Sequence, residues 1–163
     1  MRYSQIRTCD INNGNGLMVT LWTQGCSVRC SEKCHNKHLW SFEEGKEFTD
    51  ETIEKIITLL NSPQNFACLG GEPIESVNLN MLEKLFKRIK EVYPNKEIWL
   101  WTGRLFDDIK ELSLFKYVNY VIDGGYNEML NEKGLLWRGS KNQRNIDVQE
   151  SLKQNKIVLS KYN

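Results

Sequence analysis

The stretch from Gln24 to Asn36 constrains this chain more than any other, because it places three of the five cysteines within nine residues. The three are Cys26, Cys30 and Cys34. Thiolates are preferred ligands of iron–sulfur clusters and of zinc, so such a dense set indicates one shared inorganic centre rather than core packing. In an α-helix, the rise per residue would spread the three over about 12 Å, too far for three bonds to one ion. The segment, residues 24–36, is therefore predicted to be a loop wrapped around its ligand.

The number of cysteines leaves three interpretations of this loop. A structural zinc normally takes four ligands in two close pairs, and no second Cys or His pair follows downstream, although His35 or His38 could supply a fourth ligand. A [4Fe–4S] cube has four iron corners, so three cysteines would leave one iron open to a substrate. Three unligated thiols are the remaining possibility. Ligand count favours the open cluster over zinc, and either over free thiols.

The rest of the sequence is consistent with metal or redox chemistry in a reducing compartment. The N-terminus lacks the apolar run of a signal peptide, and no stretch approaches the roughly 18 apolar residues needed to cross a bilayer, so a cytoplasmic location without a membrane partner is expected. The 22 basic and 21 acidic residues nearly cancel, which gives no global field for nucleic acid. The separate thiols, Cys9 and Cys68, are expected to be ordinary packed side chains.

Strand and helix patterns alternate along the chain, which predicts an α/β fold with a mostly parallel sheet and right-handed crossovers. The predicted strands are residues 17–23, 66–69, 97–101 and 117–122. The predicted helices cover 49–60, a second stretch with Leu82, Leu85, Phe86 and Ile89 on one face that closes at Pro94, and a short segment near 106–112. A complete (β/α)₈ barrel needs about 200 residues or more, so 163 residues predict a partial, open βα barrel or an open sheet. A single domain, residues 1–163, is expected, with a polar tail from about residue 137.

The predicted strands end in polar and glycine-rich residues. These are Cys26, Gly70-Gly71-Glu72, Thr102-Gly103 and Asp123-Gly124. Because α/β folds place their sites at the carboxyl ends of parallel strands, this rim is the predicted active face. Alone, Gly70-Gly71-Glu72 would read as a tight turn. Beside a cysteine loop, two glycines allow a ligand close to the backbone, and Glu72 could accept hydrogen bonds from a cationic group such as an ammonium.

Taken together, these motifs resemble the activating proteins of anaerobic (class III) ribonucleotide reductases, small members of the radical S-adenosylmethionine (SAM) superfamily. The resemblance covers most of the chain and rests on the order and spacing of several motifs. They are Asn13-Gly14-Asn15-Gly16, Gly25-Cys26 with the cysteine loop and His35-Asn36, Gly70-Gly71-Glu72-Pro73, Trp99-Leu100-Trp101-Thr102-Gly103, Asp123-Gly124 and Trp137-Arg138-Gly139-Ser140-Lys141-Asn142-Gln143. One departure is the gap before Cys34, which holds Ser31, Glu32 and Lys33 where the superfamily usually has two residues.

The resemblance implies a radical SAM fold, a cofactor pair and a set of site residues. Cys26, Cys30 and Cys34 would hold a [4Fe–4S] cluster whose open iron is chelated by SAM. Gly70, Gly71 and Glu72 would line the methionine end, with Glu72 near the ammonium, while Lys33 and His35 would flank the last ligand near the adenosyl part. Asp123 would either bind the ribose or cap a turn, and the resemblance gives Thr102 no definite role. The basic tail, with Arg138, Lys141 and Arg144, would serve the fold or a partner contact.

The resemblance also implies the reaction and the partners. One-electron reduction of the cluster would cleave SAM to methionine and a 5′-deoxyadenosyl radical, which takes a hydrogen from a backbone glycine of the large reductase subunit. The electron donor would be a flavodoxin or a thiol system. Two alternatives remain open at this point, namely a small radical SAM enzyme acting on a free metabolite and a zinc-stabilised interaction module without catalysis.

Overall fold

In the computed structural model, which describes residues 1–163, helices pack on an open seven-stranded sheet. The strands are β1 (Arg2–Asp10), β2 (Met18–Thr23), β3 (Lys46–Glu47), β4 (Asn65–Gly70), β5 (Ile98–Trp101), β6 (Tyr120–Asp123) and β7 (Arg144–Asp147). The α-helices are α1 (Asp50–Leu59), α2 (Ser76–Val92), α3 (Phe106–Ile109) and α4 (Val148–Gln154). Short 3₁₀ turns cover Lys37–Leu39, Ser113–Lys116 and Glu128–Leu130. The predicted α/β class is confirmed.

The sheet is parallel in its middle and antiparallel at both sides. Its strand order is β3-β1-β2-β4-β5-β6-β7, and the pairs β2–β4, β4–β5 and β5–β6 are parallel. These four central strands are the four that the sequence predicts. The pairs β1–β3, β1–β2 and β6–β7 are antiparallel, so the sheet is mixed rather than mostly parallel throughout. It does not close into a barrel, because β3 and β7 remain as edges.

Two amphipathic helices cover one face of the sheet. Helix α1 begins after Thr49, whose backbone N–H donates to the Thr52 hydroxyl at 3.3 Å, and acidic residues in its first turn complement the helix dipole. The predicted apolar face of α2 is confirmed, because Leu82, Leu85, Phe86 and Ile89 are all fully buried. They belong to a core of 25 buried residues between the helices and the sheet. None of the helices combines the length and apolar character that crossing a membrane requires.

The opposite face of the sheet carries an aromatic cluster. Trp99 of β5 is fully buried there, with its ring centroid 5.0 Å from that of Trp137 and 5.4 Å from that of Tyr162. The tail from residue 137, predicted only as polar, thus supplies two members of this cluster. It also forms β7 and α4, and Leu159 pairs with Ile146 of β7. This face is therefore packed by chain segments rather than by long helices.

The two isolated cysteines have different environments. Cys68 lies on β4, is fully buried in the main core, and has a thiol pKa raised by that burial, so the prediction of a packed thiol is confirmed. The same prediction is wrong for Cys9, which is exposed. Strand β1 shifts its pairing register between Arg7 and Asp10, and Cys9 has a φ of +56° within that shift. In a regular strand, every second side chain faces the core. The irregularity in β1 interrupts this alternation, so Cys9 faces solvent.

Candidate metal centre

The cysteine loop leaves the end of β2 along a path fixed by backbone hydrogen bonds. The Gly25 N–H donates to the Leu39 carbonyl at 2.8 Å, and the Cys26 N–H donates to the Trp40 carbonyl at 3.2 Å. On the other side, the Glu72 N–H donates to the Gly25 carbonyl at 2.8 Å. Gly25 has a φ of +93°, a conformation that glycine adopts without strain. The first cysteine is thereby placed against the turn that follows β4.

A buried carboxylate holds the next residue of the loop. Ser27 donates to the Glu75 carboxylate from its backbone N–H at 2.7 Å and from its hydroxyl at 2.6 Å. Arg104, beyond β5, pairs with the other carboxylate oxygen at 3.4 Å. The side chain of Glu75 is only 10% exposed, so its charge needs these partners. Glu75 thus joins the cysteine loop, the start of α2 and the end of β5.

Backbone N–H groups surround the three clustered thiols. The Asn36 N–H donates to the Cys34 sulfur at 3.4 Å, the backbone of Val28 and Arg29 lies beside the Cys26 thiol, and that of Tyr126 lies beside the Cys30 thiol. Burial raises the pKa of the Cys26 and Cys30 thiols, and the backbone donors act in the opposite direction. Backbone N–H groups directed at sulfur are the surroundings that thiolate ligands of an iron–sulfur cluster need. The loop therefore fits a centre held through thiolates.

The extra residue before Cys34 is absorbed in a turn. The Cys34 N–H donates to the Ser31 carbonyl at 3.0 Å, and the Lys33 N–H donates to the Ser31 hydroxyl at 3.1 Å. The exposed side chain of Lys33 reaches Glu128 at 3.5 Å, outside the cysteine loop. His35 is also exposed, with its ring centroid 5.9 Å from that of Tyr126. Both side chains flank Cys34 on the solvent side.

Gly70 and Gly71 face the cysteine loop across a cleft. The cleft is lined by Cys30, Asn36, Leu69, Gly70, Gly71, Trp101, Thr102, Gly103, Gly124, Tyr126 and Gln143. Both glycines are required by close backbone contacts: a Cβ on Gly70 would lie 2.6 Å from the Thr23 nitrogen, and one on Gly71 would lie 2.3 Å from the Gly25 oxygen. The ends of β4, β5 and β6, which the sequence predicts on one rim, therefore line a common cleft together with Cys30.

Glu72 does not line this cleft. Its side chain is buried, and one carboxylate oxygen accepts from the Ile74 N–H at 2.9 Å and from the Thr102 hydroxyl at 2.7 Å. The other oxygen accepts from the Gly103 N–H at 2.8 Å. Burial raises the pKa of Glu72, while these hydrogen bonds act in the opposite direction. Glu72 therefore ties the end of β4 to the end of β5, and Thr102 is one of its three donors.

The far wall of the cleft is formed by Gly124, which follows the buried Asp123, and by Gln143 of the tail. The Asp123 carboxylate is fully buried, accepts from the Phe106 N–H at 2.7 Å and pairs with the Arg144 guanidinium. Asp123 is expected either to bind the ribose or to cap a turn, and its contacts in the structure are all with protein groups. Gln143 donates to the Gly124 carbonyl at 2.9 Å and lines the cleft. The motif around residues 137–143 is therefore part of the site's wall, although the sequence predicts no regular structure for it.

Comparisons with known proteins decide the family. A family model described as a 4Fe-4S single cluster domain matches residues 12–146. The anaerobic ribonucleoside-triphosphate reductase-activating protein of Enterobacteria phage T4 is 40% identical over 146 residues, which cover 88% of this chain and 92% of the relative. The proteins of the same name from Escherichia coli K12 and Salmonella typhi are 35% and 36% identical over 149 residues, each covering 88% of this chain and 96% of the relative.

The chain belongs to the family of anaerobic ribonucleoside-triphosphate reductase-activating proteins. The resemblance inferred from the sequence is thereby confirmed, and the cofactor of this activating-protein family member is an iron–sulfur cluster. No group of three or more His, Cys, Asp or Glu side chains is arranged to hold a single metal ion.

Three residues of the site have roles that the sequence does not predict, namely Asn36, Glu75 and Gln143, although Asn36 and Gln143 lie within motifs that carry the resemblance. Glu75 lies three residues after Glu72, and the sequence predicts a ligand contact for Glu72 alone. An acidic residue just before a helix is a common feature, so Glu75 carried no signal of its own. Its importance comes from Ser27, which is 48 residues away in sequence.

Removal of the Glu75 carboxylate is expected to loosen the cysteine loop. Glu75→Ala deletes both hydrogen bonds from Ser27 and the ion pair with Arg104, which should lower the free energy of unfolding by about 1 to 3 kcal/mol. The iron content after reconstitution should fall with it. Urea denaturation of the cluster-free chain and iron analysis measure the two effects. Glu91→Ala, an exposed position on α2, is the control, and a variant with unchanged stability and iron content would contradict the anchoring role.

Proposed function

We propose that this chain activates an anaerobic ribonucleotide reductase by reductive cleavage of SAM at a [4Fe–4S] cluster, and that it leaves a glycyl radical on the large reductase subunit. The observation that carries the proposal is the cysteine loop, which places three thiols within nine residues and brings Cys30 into the Gly70–Gly71 cleft. The names of the relatives support the choice of reductase as partner.

Different residues of this chain are proposed to bind the cluster and the methionine end of SAM. Cys26, Cys30 and Cys34 would hold the cluster, and three thiolates on a four-iron cube would leave one iron open for SAM. Gly70 and Gly71 present backbone rather than side chains to the cleft and suit the methionine end of SAM. Glu72 acts on that end by holding the turn, since its oxygens already have protein donors.

The adenosyl side is assigned to the solvent-facing residues next to the last ligand. Lys33 and His35 are exposed on either side of Cys34, where they can contact a ligand that enters from the rim. A bound, reduced cluster would supply the electron for SAM cleavage and so the radical chemistry needed at the reductase glycine, while Lys33 and His35 would hold the adenosyl part. The protein's own contribution is to orient the ligand and to exclude water from it.

The fold suits a macromolecular substrate. A single domain spanning residues 1–163, with an open βα sheet in place of a closed barrel, leaves the rim accessible to a protein segment. The electron donor is proposed to be a flavodoxin or a thiol system. We expect activity in the cytoplasm, where a reducing environment keeps the cysteines available as ligands, and with no nucleic acid or membrane as partner.

Anaerobic reconstitution tests the proposal. The chain is loaded with iron and sulfide, reduced, and given SAM together with its cognate reductase large subunit. We expect methionine and 5′-deoxyadenosine in equal amounts and a glycyl radical signal in the electron paramagnetic resonance (EPR) spectrum. SAM cleavage without a glycyl signal would favour an enzyme acting on a free metabolite. Stoichiometric zinc without iron in protein purified anaerobically would favour a non-catalytic interaction module.

A further inference from the structure

Asn36 makes one contact on each side of the cleft. Its backbone N–H donates to the Cys34 sulfur at 3.4 Å, and its side-chain amide donates to the Gly70 carbonyl at 3.3 Å. The residue is half-buried and lines the cleft. A single residue thus touches the last clustered cysteine and the first glycine of the turn opposite.

The surroundings of Asn36 fix both contacts. Its carbonyl accepts from the Leu39 N–H at 2.8 Å, and the buried Leu39 in turn accepts from Gly25 at the start of the cysteine loop. On the other side, Gly70 has a φ of +121° and is too close to the Thr23 backbone to carry a side chain. Both ends are held by backbone contacts, and the Asn36 amide forms a direct side-chain link between the loop and the turn.

We propose that Asn36 is a positioning residue that couples the Cys34 ligand to the SAM-binding turn, an inference that rests on the function proposed above. Hydrogen bonds to sulfur are among the factors that set the potential of an iron–sulfur cluster, and a donor stabilises the more negative, reduced state. The side-chain amide holds the Gly70 carbonyl at the edge of the cleft that both residues line. The hydrogen bond to sulfur comes from the Asn36 backbone and remains possible without the amide, but loss of the side-chain bond to Gly70 frees residue 36 to move away from Cys34. The cluster potential and the affinity for SAM therefore change together.

Asn36→Leu tests the coupling because leucine has a similar volume and keeps the backbone N–H but has no side-chain donor for the Gly70 carbonyl. We expect a more negative reduction potential in an EPR-monitored titration, and SAM binding weakened about tenfold or more, read from the change that SAM causes in the EPR signal of the reduced cluster. Asn36→Gln, which keeps an amide, should recover part of both effects. Asn95→Leu, at an exposed turn between α2 and β5, is the matched control and should leave both readouts unchanged.

Hydrogen exchange in the cluster-free chain gives a second readout that needs no iron. In Asn36→Leu, amides of residues 31–39 and of residues 66–74 should both exchange faster than in the unsubstituted chain. Faster exchange in neither segment, or in one alone, overturns the coupling, as does a variant that holds iron with an unchanged potential and SAM response. Failure of the proposed function is distinct, because the unsubstituted chain would then show no response to SAM.

Discussion

Serine at Cys26, Cys30 or Cys34 is expected to abolish SAM cleavage, with a loss of at least about a hundredfold for each single variant. Substitution of residues that only support a metal ligand costs 10- to 100-fold in affinity or activity, so removal of a thiolate ligand should cost more. Serine preserves the size of the side chain but is a poor ligand for iron at neutral pH. The measurements are iron per chain, the EPR spectrum of the reduced cluster and the yield of 5′-deoxyadenosine.

Cys9→Ser is the matched control for the three ligand variants. Cys9 is exposed on β1 and takes no part in the cleft, so the same chemical change should leave iron content and activity unaffected. The Cys34 variant is the most informative of the three, because the turn from Ser31 to Cys34 contains the extra residue of this chain. Full cleavage activity in Cys34→Ser would remove Cys34 from the ligand set.

The part of the fold that could be predicted is the part with local apolar patterns. The central strands β2, β4, β5 and β6 are short apolar runs, and α1 and α2 carry apolar residues at helical spacing. Strand β1 was missed because its sequence is polar and irregular, and it is held by antiparallel pairing with β2. Strand β7 pairs with β6 after a long polar segment, so its position also depends on contacts distant in sequence.

The same division applies to the candidate site. Clustered cysteines and paired glycines can be recognised in a sequence because few other roles need them. Cys30, Gly70 and Gly71 all line the cleft. Asn36 and Glu75 are common polar residues whose partners, Gly70 and Ser27, lie 34 and 48 residues away. No spacing rule connects such pairs. Glu72 shows the opposite case, since the sequence singled it out for a ligand while the fold surrounds it with protein donors.

Replacement of Glu72 by alanine is expected to destabilise the cluster-free chain by about 3 kcal/mol, because it deprives three buried or half-buried donors of their acceptor. These are the N–H groups of Ile74 and Gly103 and the hydroxyl of Thr102. Glu72→Gln keeps one acceptor oxygen and should lose less. Urea denaturation measures the free energy of unfolding, with the exposed Glu111→Ala as control.

The Glu72 variants also separate two roles for this carboxylate. If Glu72 acts by joining β4 to β5, stability falls in the absence of any cofactor, and SAM binding weakens because the Gly70–Gly71 turn loses its support. If its main partner is instead the ammonium of SAM, the cluster-free chain keeps its stability to within about 1 kcal/mol while SAM binding alone is lost. Because the Glu72 oxygens already accept three hydrogen bonds from the protein, we expect the first result.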